Sequence, residues 1–355
     1  MMDRSHSVPA PSNTTRIRTY ALTGAGAALL SWEPAPLPAP AGQGFLWFDV
    51  TDPTSQGLEA LQRQYHLHPL AIEDTVHAHQ RAKVETYPGF EFIVAHGVTR
   101  SREGDVDVHE LNVFAGETFV ISVRHGSGPS VEEILQRWER VPAAWRTDSS
   151  SLVYVLLDAL VDGYGPLVDE LEDELQGTRQ RLINPQSSND RELQNIFHLT
   201  DLVHAAHAVV FPLKDVLNTL MHVGPPVVSP QEVPYFRDIR DHAVRTVERL
   251  DLARSLADRA FDIYNALENR RRNASGSQLT MVATVFFPLT LVTGFFGQNF
   301  SFLVDKILAG PRAFWTLGVG FEALVAIVTI VLVRRVGQDR GQAQNLGPSR
   351  VRRPE

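Results

Sequence analysis

The sequence is marked first by what it lacks. None of its 355 residues is cysteine, which excludes disulfide bonds, thiolate catalysis and thiolate metal sites. The stretch up to Gln43 has no apolar signal core, so we expect no cleaved export signal. We find no nucleophile–base arrangement, metal triad or phosphate-binding loop, and therefore predict that the chain is not an enzyme and uses no catalytic cofactor. With a net charge of −8, it is not expected to bind nucleic acid.

Charge is also missing from residues 273–304, and this stretch is long enough to cross a membrane. A bilayer core takes about 20 apolar residues of helix, which residues 279–296 supply, and a second span follows at 313–333. Positive residues flank the spans at Arg270, Arg271, Arg272, Arg334 and Arg335. The positive-inside rule therefore predicts a multi-pass protein of the plasma (inner) membrane with both termini in the cytoplasm and a short external loop.

The first span has an unusual composition for a lipid-facing helix. It contains four threonines and a proline at position 288, and it ends in Gly294, Gly297 and Asn299. Such residues suit a helix that lines a water-filled path or packs closely on neighbours. A plain anchor whose threonines bond their own backbone is the alternative.

The pattern of elements predicts an α+β membrane protein. We expect a flexible leader (1–44), a cytoplasmic α/β domain (45–145), long cytoplasmic helices (146–278), two transmembrane helices (279–335) and a cytoplasmic tail (336–355). No helix breaker occurs from about Pro234 until Gly276, whose neighbours remain compatible with a helix. A helix from there to Phe296 would cover about 60 residues and about 90 Å.

One face of this long helix carries a stripe of mostly polar and small residues, which we call the polar stripe. Its members are spaced by threes and fours: Asp262, Asn265, Asn269, Asn273, Gly276, Thr280, Ala283, Phe287, Thr290 and Gly294. Asparagine is a poor helix former and would be wasted on a solvated face. One chain with two spans cannot enclose a pore, whereas several copies around an axis could. A coiled coil tolerates one buried asparagine for register, but three in succession are harder to explain that way.

Two separated motifs resemble the CorA-type divalent-cation (magnesium/zinc) transporters. The first runs Leu-His-Pro-Leu-Ala-Ile-Glu-Asp over residues 67–74 and continues as His-Gln-Arg-Ala-Lys-Val-Glu over 79–85. The second comprises Phe-Pro-Leu-Thr at 287–290 and Phe-Gly-Gln-Asn-Phe at 296–300, where the family usually has Gly-Met-Asn. The resemblance implies a funnel-shaped homopentamer with cytoplasmic α/β/α domains, one very long pore helix from each chain and an outer ring of second spans.

The resemblance also implies roles for individual residues. Asn299 would form an external ion-binding ring, beside Gly297, which allows the tight turn, and Gln298. The implied pore-lining residues are Asp262, Asn269, Asn273, Gly276, Leu279, Thr280, Phe287 and Thr290. A regulatory divalent cation, Mg²⁺ by preference, would lie between Asp74 of one subunit and Asp238 of its neighbour.

The transported ion stays open at this point. Gln298 departs from the family's usual methionine, and the external loop has one acid, Asp305, against Lys306 and Arg312. We expect a gated channel for magnesium uptake, because amide oxygens suit a hydrated ion. Transport of zinc, cobalt or nickel is the alternative, and a membrane-anchored sensor module without transport is an alternative of another class.

Glu322 is an unexplained acid in the second span. Counted from residues 313 and 334 it lies at mid-membrane, where an ionised carboxylate costs at least about 2.5 kcal/mol. We therefore expect it to be protonated, or turned onto the first span to bond Thr284, Thr290 or Thr293. A titrating Glu322 would make transport pH-dependent. The alternative is a later start of the span, near Leu317, which leaves Glu322 close to the outer headgroups.

Overall fold

A computed structural model describes residues 15–31, 44–126, 128–183, 189–225, 227–297, 306, 310, 312 and 314–331. The chain divides into two compact units, one ending at Ile263 and the other beginning at Tyr264. The predicted boundary at 145/146 falls inside the first unit, because the sheet and the helices that follow it share one hydrophobic core.

Within the described residues of the first unit, the strands form one mixed sheet in the order β2-β1-β3-β7-β6-β5-β4. The strands are β1 Arg16–Thr23, β2 Gly26–Leu30, β3 Gly44–Thr51, β4 Lys83–Tyr87, β5 Phe90–Arg100, β6 Val106–Gly116 and β7 Phe119–His125. Strands β3 and β7 pair in parallel, and the other neighbours are antiparallel.

Strands β1 and β2 correct the flexible leader predicted for residues 1–44. Strand β1 pairs with β3 along its whole length, from Arg16 opposite Thr51 to Thr23 opposite Gly44. Its side chains alternate between the two faces, with Tyr20 and Leu22 in one core and Ile17 and Ala21 against the other. Residues 15–31 are therefore part of the sheet, while the rest of the predicted leader lies outside the described residues.

Helices cover both faces of the sheet and confirm the α/β/α layering. Helices α1 (Ser55–Tyr65) and α2 (Pro69–Val76) pack on the face that carries Phe48, Phe92 and Phe114. The other face carries Trp47 and Ile93. It is covered by α3 Val131–Trp138, α4 Ser149–Asp162, α5 Tyr164–Ile183, α6 Asn189–Val223 and the first part of α7 Val233–Phe296. Gly163 separates α4 from α5.

The second unit contains the end of α7 and a further helical segment. A π-helix, Phe314–Gly320, leads directly into an α-helix, Phe321–Val331, which we call α8. Among the described residues, three helical stretches are long and apolar enough to cross a membrane by length and composition: Ser149–Ile183, Arg191–Val223 and Val233–Phe295. The first two bury much of their apolar length against the sheet, whereas the apolar window of α7 has no buried residue. The exposed apolar stretch of α7 is therefore the one that we expect lipid or other subunits to cover.

Candidate ion pathway and acidic sites

The polar stripe is exposed along its whole length in the described chain. Every member from Asp262 to Gly294 is solvent-exposed. Leu279 and Phe287, two implied pore residues, are 74% and 75% exposed. In the described part of a single chain nothing covers this face of α7.

The threonines of the stripe present oxygen lone pairs. Thr280 Oγ1 donates to Gly276 O at 2.9 Å, and Thr290 Oγ1 donates to Phe286 O at 2.8 Å. A hydroxyl whose hydrogen is used this way still has acceptor capacity. A plain membrane anchor would make the same hydrogen bonds, so these bonds do not distinguish an anchor from a helix that lines a water-filled path. Phe287, Thr290 and Gly294 also line one open groove on α7.

Gly297 ends the first span with a tight backbone contact. Its N–H donates to Thr293 O at 2.9 Å, and an added Cβ would lie 3.1 Å from that same oxygen. Gln298 and Asn299, the other two residues of the implied ring, lie outside the described residues.

Glu322 contacts the first span as expected. Thr293 Oγ1 and Glu322 Oε1 are 2.6 Å apart, which confirms the inward-turned interpretation with Thr293 as the partner. The contact also locates Glu322 along the first span. Thr293 lies three residues, or about 4.5 Å, before Phe296, so Glu322 meets the last turn of α7 and not its middle.

Asp74 already has a cationic partner in the folded chain. Lys83 Nζ lies 2.7 Å from Asp74 Oδ2 and 2.7 Å from Glu85 Oε1. Tyr87 donates to the second oxygen of Glu85 at 2.9 Å. Partial burial acts to lower the pKa of Lys83, but hydrogen bonds to Asp74 and Glu85 outweigh it and raise that pKa above its usual value. Any divalent cation at Asp74 must therefore compete with an internal ammonium group.

The segment between α2 and β4, which follows Asp74, is held by a buried carboxylate that sequence reasoning missed. Glu110 is 5% exposed. Its Oε2 accepts backbone N–H bonds from His79 at 2.7 Å and Gln80 at 3.0 Å, and its Oε1 accepts from Asn112 at 2.9 Å. Burial alone would raise the pKa of Glu110, but hydrogen bonds from His96, Asn112 and His79 lower it. A sequence signal that could have pointed to Glu110 was the His-Gln-Arg motif, because that motif contains the two residues whose backbone N–H groups the carboxylate binds.

Asp238 is the exposed member of a second acidic group. Its side chain is 63% exposed and lies 4.0 Å from His242. Asp158 and Asp162 lie near Asp238. Arg137 lies 3.4 Å from the Asp158 carboxylate and 2.6 Å from the Asp162 carboxylate. Burial raises the pKa of Asp158, and the negative charge of nearby Asp162 raises it further. The described residues contain no group of three or more His, Asp or Glu suited to a metal ion.

One chain does not bring Asp74 and Asp238 together. Helix α2 packs on one face of the sheet, and the part of α7 that carries Asp238 belongs to the core on the other face. A cation shared by these two carboxylates therefore needs two chains.

A protein-family model described as "CorA-like Mg2+ transporter protein" matches residues 42–335 of this chain. The chain belongs to this family. YfjQ of Bacillus subtilis is 29% identical over 288 residues, covering 81% of this chain and 86% of that protein. The cobalt/magnesium transport protein CorA of Thermotoga maritima is 26% identical over 271 residues, covering 76% and 74%.

A solved structure shares the fold. The complete CorA magnesium transporter of Methanocaldococcus jannaschii superposes with a TM-score of 0.72 at 19% identity, covering 89% of this chain and 97% of that one. The resemblance drawn from the motifs is thus confirmed. Since CorA-like proteins transport ions, the prediction that the chain is not an enzyme is confirmed by its family. Family membership and the exposed apolar stretch of α7 together assign the chain to a membrane.

Proposed function

We propose that this protein takes up divalent cations, Mg²⁺ first among them, through a gated homopentameric channel in the plasma membrane. The observation that carries the proposal is the exposed polar stripe of α7, which continues from Asp262 into an uncharged apolar helix. A polar face has no use in lipid. Five copies around an axis would turn that face toward a common water-filled path.

The chemistry of the stripe suits a hydrated cation. Asn269, Asn273, Thr280 and Thr290 offer amide and hydroxyl oxygens, which accept hydrogen bonds from the water shell of the ion. Mg²⁺ sheds its first shell reluctantly, so weak contacts of this kind allow it to pass still hydrated. Asn299 would select the ion at the outer mouth, with Gly297 and Gln298 shaping the turn that presents it.

Magnesium is favoured over zinc by the donor atoms. Zinc sites use imidazole or thiolate, and residues 273–335 contain neither histidine nor cysteine. Zinc, cobalt or nickel transport stays the alternative because Gln298 replaces the methionine usual in the family.

The gate would consist of Asp74 and Asp238 on adjacent subunits. Two carboxylates across an interface repel, and a bound divalent cation reverses the sign of that interaction. High cytoplasmic Mg²⁺ would then stabilise the closed ring, with a coupling of about 1 to 3 kcal/mol per site. Since Lys83 competes for Asp74, the cytoplasmic site is expected to be weak, as a sensor of an abundant ion must be.

The test is ion uptake by the purified full-length chain in liposomes of phosphatidylethanolamine and phosphatidylglycerol, with Mg²⁺, Zn²⁺, Co²⁺ and Ni²⁺ supplied separately. We expect Mg²⁺ uptake, and a five-fold assembly by mass measurement of the detergent-solubilised protein. A monomer or dimer without uptake would refute the channel and favour the anchored sensor.

Asn299→Ala tests the outer ring. It should abolish uptake while the assembly keeps its mass, because the ring would lose the amide oxygens that hold the hydrated ion. Uptake at the rate of the unaltered protein would show that the ring is not the site of selection.

A further inference from the structure

We propose that Glu110 is the positioning residue of the proposed metal site at Asp74, because its carboxylate holds the loop between α2 and β4 and so keeps Asp74 in place. The inference rests on the proposed gate, but the position of Asp74 can be measured without any metal. The α2–β4 loop, residues 77–82, connects the helix that carries Asp74 to the strand that begins at Lys83.

Strand pairing does not hold this loop against the sheet. The pairing of β4 with β5 begins with Lys83 opposite Val94, after the loop has ended, although β5 continues to Arg100. The carbonyl of His96, two residues farther along β5, accepts a hydrogen bond from the Tyr164 hydroxyl of α5 at 2.5 Å. The N–H groups of the loop therefore need an acceptor from elsewhere, because a backbone N–H left unpaired is costly.

Two successive N–H groups of the loop converge on one oxygen of Glu110. The His79 N–H donates to Glu110 Oε2 at 2.7 Å, and the Gln80 N–H donates to the same oxygen at 3.0 Å. His79 has a φ of +83°, which L residues rarely adopt, and successive N–H groups in such a turn form a concavity that binds an anion. Burial would raise the pKa of Glu110, but its hydrogen bonds lower that pKa below the usual value, so the group is an anion at neutral pH.

The carboxylate is itself fixed in the middle of the sheet. Glu110 is buried and belongs to β6, which lies between β5 and β7. Its Oε1 accepts the amide N–H of Asn112 at 2.9 Å, and His96 Nε2 lies 3.3 Å from its Oε2. The loop is thus anchored to an inner strand and not to the edge of the sheet.

The loop in turn fixes the end of α2, two residues after Asp74. The His77 N–H donates to Glu73 O at 3.0 Å, and Gln80 Nε2 donates to His77 O at 3.1 Å. From the other end of the loop, Lys83 Nζ donates to Asp74 Oδ2 at 2.7 Å. Release of the loop from its carboxylate would therefore leave the separation of Asp74 and Lys83 undetermined.

Acetylation of lysines by acetic anhydride, followed by mass spectrometry of the solubilised full-length protein, reports on this separation. Only a deprotonated amine reacts, and the ion pair with Asp74 keeps Lys83 protonated. The chain has three lysines, at 83, 214 and 306, so the rate at Lys83 can be read relative to the rate at Lys214. Glu110→Leu should raise that ratio about fivefold, the factor that corresponds to about 1 kcal/mol at a partly exposed ion pair.

Glu110→Gln should raise the ratio less, because its amide oxygen still reaches both N–H groups but lacks the negative charge. Glu110→Asp, one methylene shorter, should also raise the ratio, and it takes the place of Glu110→Leu if mass measurement shows that the leucine variant does not assemble. Glu91→Leu is the matched control and should leave the ratio unchanged. Glu91 is equally buried, but it accepts a hydrogen bond from Thr86 of β4 at 2.7 Å and not from the loop.

Limited proteolysis across a Mg²⁺ titration tests the consequence for the metal site. The comparison uses Lys83→Met, which removes the ammonium group that competes for Asp74, with and without Glu110→Leu. Because Asp74 is no longer held in place, the Mg²⁺ midpoint for protection should be about fivefold higher in the double variant.

An acetylation ratio that stays the same in every Glu110 variant would overturn the inference. An unchanged Mg²⁺ midpoint in the double variant would also overturn it. If Mg²⁺ protects neither the unaltered protein nor Lys83→Met, the proposed gate fails, while the acetylation ratio still decides whether Glu110 holds Asp74 in place.

Discussion

Removing the charge of Lys83 should strengthen the proposed metal site at Asp74. The Lys83 ammonium lies 2.7 Å from both Asp74 and Glu85, in the position of a cation between two carboxylates. Lys83→Met keeps the apolar stem, which packs near Phe92 with the ammonium 5.7 Å from the ring centroid. The variant leaves the two carboxylates free to bind Mg²⁺.

The magnitude follows from the distances and the exposure of the groups. Unit charges about 4 Å apart interact by about 1 kcal/mol in water and about 4 kcal/mol near a shielded protein surface. The side chains of Lys83, Asp74 and Glu85 are 28%, 27% and 37% exposed, so solvent screening favours the lower figure. A gain of about 1 kcal/mol in Mg²⁺ binding corresponds to a midpoint about fivefold lower.

Limited proteolysis of the solubilised full-length protein across a Mg²⁺ titration measures that midpoint. Lys214→Met is the matched control, because it changes the net charge equally while the Lys214 ammonium lies over the Phe211 ring, 3.8 Å from its centroid. We expect the protection midpoint to fall for Lys83→Met only. A midpoint that stays the same or rises in Lys83→Met would refute the idea that Lys83 competes with the metal at Asp74.

Three further predictions concern the proposed gate and the stability of the first unit. Asp238→Lys should make proteolysis equally fast with and without Mg²⁺, and persistent protection would locate the gate elsewhere. Arg124→Met should lower the unfolding free energy by about 3 kcal/mol, because it leaves the buried Asp49 carboxylate without its cationic partner. In the folded chain Arg124 donates to the two oxygens of Asp49, from Nε at 2.9 Å and from Nη2 at 2.6 Å. Adding Asp49→Asn should recover part of that loss in thermal unfolding. Burial lowers the pKa of His109 from 6.5, so the folded state resists its protonation and stability should fall as pH drops below 6.5. His109→Gln should flatten that slope, and an unchanged slope would assign it to other groups.

Local patterns in the sequence were enough to predict much of the fold. The stretch from Pro234 that lacks a helix breaker is α7, because helical hydrogen bonds join residues close along the chain. The exposed polar stripe was predictable for the same reason, since residues three and four apart must share a helix face.

Tertiary structure alone decided the features that depend on distant partners. Strand β1 pairs with β3 along its whole length, and the sequence alone does not show that these two stretches are partners.

Three acidic residues, Asp74, Asp238 and Glu322, show this division between sequence and tertiary structure most clearly. Sequence identified Asp74 through its motif, but only the fold placed Lys83 against it and put Asp74 and Asp238 on opposite faces of the sheet. Sequence marked Glu322 as an anomaly and named Thr293 among its partners. The depth of that contact depends on how two helices pack side by side, and this packing is determined by interactions between side chains far apart in the chain.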